Sequence, residues 1–332
     1  MRPSRSVVWS LALIACSGAR DGASEQKREL TGAGGTFPYP VFRAWISEYG
    51  RSSGVRINYF SVGSAEGVRR LDEGQVDFAA TDRPIAMPAG VRAPGCARLL
   101  VPMVVGPIAV AYNLPMLGAA APLQFDANVL ADIFAGRVTR WNAAAIKALN
   151  PATPLPAMLI VVVHRGVGSG TGSAFSDFLS RSGRWKGRHG ASDTTEVHWP
   201  VGIAAEGNEG VAVEVKVTEG SIGYVELAYA RQNRLSVAAV KGQGAEFAMP
   251  GSGAPEYPVT ARTWLVIDPT HIESNDGKAL TDFASWALHE GAEQARAMEY
   301  LPIPTDTVAH YDSLMRAIPF ATCVKPSAAP PS

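Results

Sequence analysis

Residues 31–38 read Thr31-Gly32-Ala33-Gly34-Gly35-Thr36-Phe37-Pro38, and behind Pro38-Tyr39-Pro40 come Phe42, Trp45, Ile46 and Tyr49. Their i, i+3, i+4, i+7 spacing lays these four apolar side chains on one face of an amphipathic helix. Val55-Arg56-Ile57-Asn58-Tyr59 then alternates as a strand, and Val76-Asp77-Phe78-Ala79-Ala80 reads as another. The same alternation continues outward from this opening. Leu99 to Tyr112 is a long apolar β-like run, Leu130, Ile133 and Phe134 mark a helix, and Leu159 to Val163 a buried strand. Phe175, Phe178 and Leu179 mark the next helix, and Ser221 to Val225 and Thr263 to Ile267 further strands. Leu280, Phe283, Ala287 and Leu288 line a late helix. Strands alternating with helices in this way predict an α/β fold with largely parallel sheets.

The chain has 332 residues, about two domains by length, and its 30 Lys and Arg balance 30 Asp and Glu. A net charge of zero supplies no bulk field to gather nucleic acid. A hydrophobic share of 47% can build a large core, and 18% charged residues lies well below the disordered regime. No internal repeat is visible. Gly242 to Pro258 is a Gly/Pro-rich linker or surface loop, and the tail, residues 325–332, is expected to be disordered. Arg181, Arg184, Lys186, Arg188 and His189 cluster around Trp185, which reads as a solvated basic loop.

The N-terminus reads as an export signal over residues 1–15: Arg2 and Arg5 precede a short apolar run, Val7 to Ile14, far too short to span a bilayer. Leu13-Ile14-Ala15-Cys16 resembles the lipobox of bacterial lipoproteins, which implies acylation of Cys16 and a polar tether over residues 16–29. Cys96 and Cys323 remain. Export favours a disulfide between them, with two buried thiols as the alternative.

Three segments place glycines and small polar residues just before a helix. They are Thr31 to Pro38, Val62-Gly63-Ser64-Ala65-Glu66-Gly67, and Gly166-Val167-Gly168-Ser169-Gly170-Thr171-Gly172. Helix N-termini expose unpaired N–H groups, glycines let the backbone approach an oxyanion, and Ser and Thr add hydroxyl donors. Any one segment reads better as a capped helix after a tight turn; three, with Arg165 beside the third, favour an anion. Nucleotide fingerprints fail on spacing, because Thr171 stands where the dinucleotide pattern needs Gly and no Gly-Lys-Ser/Thr occurs. Val167 stands where a nucleophile elbow at Ser169 needs Gly, and the six scattered His form no zinc motif.

Asp82, in Thr81-Asp82-Arg83-Pro84, is the informative acid. A carboxylate repels an anion unless the anion brings a proton to share. Phosphate keeps at least one proton near neutral pH and sulfate keeps none, so an ionised Asp82 in the site selects phosphate. The competing reading is an Asp turn or helix cap.

At these residues the chain resembles the PstS family, the phosphate-binding proteins of the phosphate-specific ABC transporter. Leu30 to Pro38, Val76 to Asp82 and Gly168-Ser169-Gly170-Thr171 resemble its motifs, as do Leu130 to Trp141, Gly207-Asn208-Glu209-Gly210 and Gly220 to Glu226. The resemblance implies a two-lobed periplasmic-binding-protein fold of type II, each lobe a mixed, largely parallel sheet flanked by helices. Lobe one is expected over residues 30–105 and 256–324, and lobe two over 106–255. Family binding residues fall on Thr36, Phe37 (main-chain N–H), Ser64 and Asp82 in lobe one, and on Arg165, Ser169, Gly170 and Thr171 in lobe two. Cys96 and Cys323 fall on the same lobe, which favours their bond. A monomeric, non-enzymatic, lipid-anchored receptor that hands phosphate to membrane permease subunits is implied, with no metal or organic cofactor. Two departures stand out. Val167 occupies the place of the acid that usually orients the binding Arg, and Glu66 stands where the family prefers Gly; Glu66 is expected to pair with Arg165 or Arg83. The rivals are a receptor or sensor for another oxyanion, and a secreted phosphatase or serine hydrolase using Ser169 or Ser64.

Overall fold

The computed structural model describes residues 28–85, 95–118, 122–186, 197–242, 246–251 and 257–323. The export signal, Cys16, nearly all of the tether, Arg188, His189 and the tail lie outside the described residues. The chain opens with β1 (Glu29–Gly34), α1 (Tyr39–Ser53), β2 (Arg56–Ser61), α2 (Ser64–Asp72) and β3 (Phe78–Thr81). β1 pairs in parallel with both β2 and β3, as βαβ crossovers require. The apolar stripe read from the sequence is the buried face of α1, and Gly54 closes that helix in the left-handed region.

β4 (Leu99–Tyr112) covers the long apolar run from end to end. After it come β5 (Gln124–Phe125), α3 (Ala127–Phe134), α4 (Ala144–Leu149), β6 (Val161–Arg165), α5 (Gly170–Ser180), β7 (Ile203–Ala205), α6 (Gly207–Val217) and β8 (Ser221–Glu226). Next are α7 (Leu227–Gln232), β9 (Ser236–Val237), β10 (Ala239–Lys241), β11 (Phe247–Ala248) and β12 (Thr260–Ile267). The chain ends in α8 (Ser274–His289), α9 (Gly291–Ala297), β13 (Leu301–Pro302), α10 (Thr305–Arg316) and α11 (Phe320–Cys323).

The main sheet runs β2-β1-β3-β12-β4-β8-β6-β7, so the architecture is mixed α/β. Its flanks are parallel and its centre antiparallel, because β12 returns between β3 and β4. β4 changes partner along its length: residues up to Pro107 pair with β12, and Ile108 onward pairs with β8. Pro107 has no N–H to offer a ladder, and the switch falls there. Tyr257 braces the same point, its hydroxyl donating to the Ile108 carbonyl at 2.7 Å.

Two aromatic clusters hold the layers on either side of this switch. Trp45 is fully buried between α1 and α9, its Nε1 donating to the Gly291 carbonyl at 2.9 Å, and Tyr49 packs on Phe283 and Trp286. On the other side Phe175 stacks on Tyr224 with centroids 4.3 Å apart, and Phe134 and Trp199 complete the group. Such contacts add about 0.5–1.5 kcal/mol each beyond area burial. This second cluster fixes α5 against β8, and therefore fixes what stands at the start of α5. Within the basic loop, Trp185 turns inward to Ser176, while Arg184 and Arg137 both bridge to Asp132.

Cys96 and Cys323 are bonded, with Cα atoms 5.4 Å apart and a sequence separation of 227. The bond pins α11 to the segment entering β4. Closing a loop of that length removes unfolded-state entropy worth about 2–5 kcal/mol. Reduction, or Cys323→Ser, is therefore expected to lower the urea midpoint of a protein that still folds. An unchanged midpoint, or an intact mass that does not rise by two protons on reduction, would refute the bond's role.

Candidate functional site

Four chain segments converge where the two halves of the sheet meet: the β1–α1 turn, the start of α2, the end of β3, and the β6–α5 turn. Arg165 ends β6 and is only 5% exposed. Its main-chain N–H donates to the Tyr224 hydroxyl at 2.9 Å, which ties it to the aromatic cluster. Its Nη1 donates across the cleft to Thr36 Oγ1 at 3.1 Å and lies 3.5 Å from Thr171 Oγ1. Nε is buried with no hydrogen-bond partner among the described residues. Burial lowers the Arg165 pKa, with Tyr224 and then Asp82 opposing the change, so the guanidinium is short of counter-charge.

Asp82 follows β3 and is also 5% exposed. Thr263 of β12 donates to its Oδ1 at 2.9 Å; Ser64 Oγ stands 3.4 Å from Oδ2 and accepts from the Asp82 N–H at 3.2 Å. Burial pushes the Asp82 carboxyl up to about 6, held from rising further by Thr263, Arg165 and Ser64. Two glycines make room for it. A Cβ on Gly35 would sit 2.8 Å from Asp82 Oδ2, and one on Gly170 would sit 2.6 Å from Ser64 Oγ and 2.7 Å from Asp82 Cβ. The close approach of Gly170 means that the start of α5 is drawn directly against Asp82.

Ser169 caps α5, its Oγ accepting the Gly172 N–H at 3.0 Å, and its hydroxyl proton is left to donate elsewhere. Thr171 is fully buried on the first turn of the same helix. Across the cleft the Ala65 N–H donates to the Gly168 carbonyl at 3.1 Å. Phe37 anchors the β1–α1 turn: its ring packs edge-on against Tyr300, whose hydroxyl donates to the Phe37 carbonyl at 3.0 Å. Thr36, Phe37, Ser64, Asp82, Arg165, Ser169, Gly170 and Thr171 thus come together in one place. The arrangement can surround a small oxyanion with hydroxyls, helix N-termini and one guanidinium, with one carboxylate facing in.

The expected pairing of Glu66 with Arg165 is not formed. Glu66 binds Arg69 and Arg70 of its own helix, because i, i+3 and i, i+4 positions are neighbours on α2. Hydrogen bonds from Arg69 and then Arg70 hold the Glu66 carboxyl down at about 2. Val167 is 77% exposed, and with Arg165 and Thr36 it lines a mouth of about 590 Å³. His164 faces away from the site, stacked on Trp199, and burial lowers its pKa. Adjacent strand residues point to opposite faces, so the His164 imidazole does not stand beside Ser169 or Ser64 to serve as a base. Among the described residues no group of three His, Cys, Asp or Glu is placed to hold a metal ion.

Three residues of the site were not singled out from the sequence. Thr263 interrupts an apolar strand with a buried hydroxyl, and Tyr224 is hidden in its own strand by its apolar ring. Asn208, fully buried, stands in Gly207-Asn208-Glu209-Gly210, which has the same Gly-and-polar design before a helix as the three segments that were recognised.

The fold is that of a periplasmic binding protein. A family model described as a PBP superfamily domain matches residues 20–290. A solved high-affinity periplasmic phosphate-binding protein with phosphate bound matches at TM-score 0.67 and 18% identity, over 86% of this chain and 93% of that one. An ABC-type phosphate transport receptor from Vibrio cholerae matches at TM-score 0.56 and 15% identity, over 83% of this chain and 100% of that one. Among curated proteins, the phosphate-binding protein PstS of Pasteurella multocida is 34% identical over 85% of this chain and 88% of its own length. PstS of Haemophilus influenzae is 34% identical over 86% and 91% respectively. The chain belongs to the PstS family.

The raised Asp82 pKa has a measurable sign. A carboxyl that binds its proton more tightly folded than unfolded loses stability as pH rises from about 4 through about 6. Asp82→Asn is therefore expected to stabilise the ligand-free protein by about 1–3 kcal/mol at pH 8 and to be near neutral at pH 4. Urea melts at both pH values check this; a difference independent of pH would remove the assignment.

Proposed function

We propose that the chain is an extracytoplasmic receptor that captures inorganic phosphate in the cleft between two lobes and delivers it to the permease of an ABC transporter. The observation that carries the reading is a carboxylate, Asp82, buried in the same donor-rich site as the guanidinium of Arg165. An anion that keeps a proton can donate it to Asp82 while accepting from every other group; a fully ionised anion meets a repulsive oxygen there. Thr36, Ser64, Arg165, Ser169 and Thr171 supply side-chain donors, and Phe37 and Gly170 supply main-chain N–H groups. The relatives' shared name, phosphate-binding protein, agrees with this chemistry.

Lobe one comprises residues 30–105 and 256–324 and lobe two 106–255, a division supported by the change of partner along β4 at Pro107 and Ile108. Closure replaces the water around phosphate with fixed donors and brings both lobe faces into one orientation for the permease. Acylation of Cys16 after removal of residues 1–15 anchors a monomeric receptor to a membrane through the tether, residues 16–29. The receptor carries out no chemistry; phosphate is bound and released unchanged.

Titration calorimetry on protein beginning at Ser17 and stripped of ligand tests this. One-to-one phosphate binding at pH 8 without heat from sulfate, weakened sharply by Asp82→Ala, is expected. Below about pH 6 Asp82 carries a proton and can donate it, so sulfate binding should appear at pH 5. Equal sulfate affinity at both pH values would place Asp82 outside the site, and binding of neither anion would reduce the family likeness to fold alone. Gly170→Ala is expected to keep the melting temperature within a few degrees yet weaken phosphate by about tenfold or more, by propping α5 away from Asp82. Undiminished affinity in that variant would show that this approach is not required.

A further inference from the structure

We propose that Asn208 is a positioning residue: it fixes the Thr36 hydroxyl as a donor to the bound anion and latches the cleft shut. The inference rests on the phosphate-receptor reading and extends it to a residue that does not itself reach the ligand.

Asn208 is fully buried on the first turn of α6. The Glu226 N–H donates to its side-chain oxygen at 2.9 Å. Because a main-chain N–H can only donate, the atom facing it must be Oδ1, and Nδ2 is forced to the other side. There Nδ2 donates to Thr36 Oγ1 at 2.8 Å and lies 3.5 Å from Thr171 Oγ1. The Asn208 main-chain N–H also donates to Thr36 Oγ1, at 3.1 Å.

Thr36 Oγ1 therefore receives three donors: Asn208 N, Asn208 Nδ2 and Arg165 Nη1. A hydroxyl has two lone pairs and one proton. The three donors share its two lone pairs, so its accepting capacity is filled, and the only use left for the proton is to donate away from them. Thr36 is thus set in advance as a donor and cannot accept the proton of a bound phosphate, which agrees with Asp82 as the group that takes it. Polarisation by charged and amide donors also strengthens the bond Thr36 gives.

Geometry adds a second consequence. Thr36 lies in the turn after β1, whereas Asn208 stands on α6, next to β8 and on the far side of the β4 switch. These bonds span the cleft and can exist only when it is closed. Losing them should accelerate opening more than it slows capture.

Phosphate affinity and dissociation rate are measured for the wild type, Thr36→Val, Asn208→Ala and the double variant, with melting temperatures as a check on folding. Asn208→Ala is expected to weaken phosphate by about 10- to 100-fold in the wild-type background, chiefly through faster dissociation. In the Thr36→Val background the same change should matter by less than about threefold. Equal losses in both backgrounds overturn the proposal, since they assign the effect to the Glu226 contact or to α6 alone. If Asn208→Ala does not fold, Asn208→Asp serves: it keeps the acceptor for Glu226 and the side-chain shape but turns the Nδ2 donor into an acceptor. It is expected to lose about 100-fold or more, and wild-type affinity in it overturns the proposal. A wild type that binds no phosphate defeats the receptor reading and this inference together, whereas binding with additive variants defeats the inference alone.

Discussion

A guanidinium and a carboxylate, each 5% exposed, enter one cleft from opposite halves of the sheet and are met in part by hydroxyls instead of by each other. Burying a charge without a full partner costs several kcal/mol. The surrounding structure is arranged to bear that cost. Thr263 and Ser64 solvate Asp82, Thr36 solvates Arg165, and the aromatic stack behind Tyr224 holds Arg165 where water would otherwise relax it. Joining the two charges in an ion pair would remove the strain and, with it, the reason for an anion to enter.

Closure depends on bonds that are weak one at a time. The Ala65 to Gly168 contact is one main-chain bond, and the Asn208 and Arg165 contacts converge on one Thr36 oxygen. A few bonds of about 1 kcal/mol each can hold a cleft closed and still release it. β4 supplies the continuity these bonds need, because it carries both halves of the sheet on one strand and bends its allegiance at a residue with no N–H.

Much of this was legible in the primary structure, for reasons that differ by element. β4 and the helix after Pro38 were readable because apolar run length and helical spacing are local properties. The antiparallel centre of the sheet was not, since nothing local says that residues 260–267 return between β3 and β4. In the site, Ser169 and Arg165 stood out because glycines and charges mark turns and anions. Thr263 did not, because a lone polar residue on an apolar strand acquires meaning only from a partner distant in sequence, and Asn208 lay in a Gly-rich motif whose partner, Thr36, is as distant. Glu66 was misread for the opposite reason: its partners were three and four residues away on its own helix.

The pairing of β3 with β12 joins residues 78–81 to residues 264–267. During synthesis the strand that leads into Asp82 therefore has β1 on one side but lacks its other neighbour until most of the chain has been made. Residues between β4 and β9 are contiguous and can collapse on their own aromatic cluster much earlier. The half that holds the carboxylate is assembled last, around a half already in place, so an interrupted chain would retain the guanidinium side of the cleft with nothing to close against it.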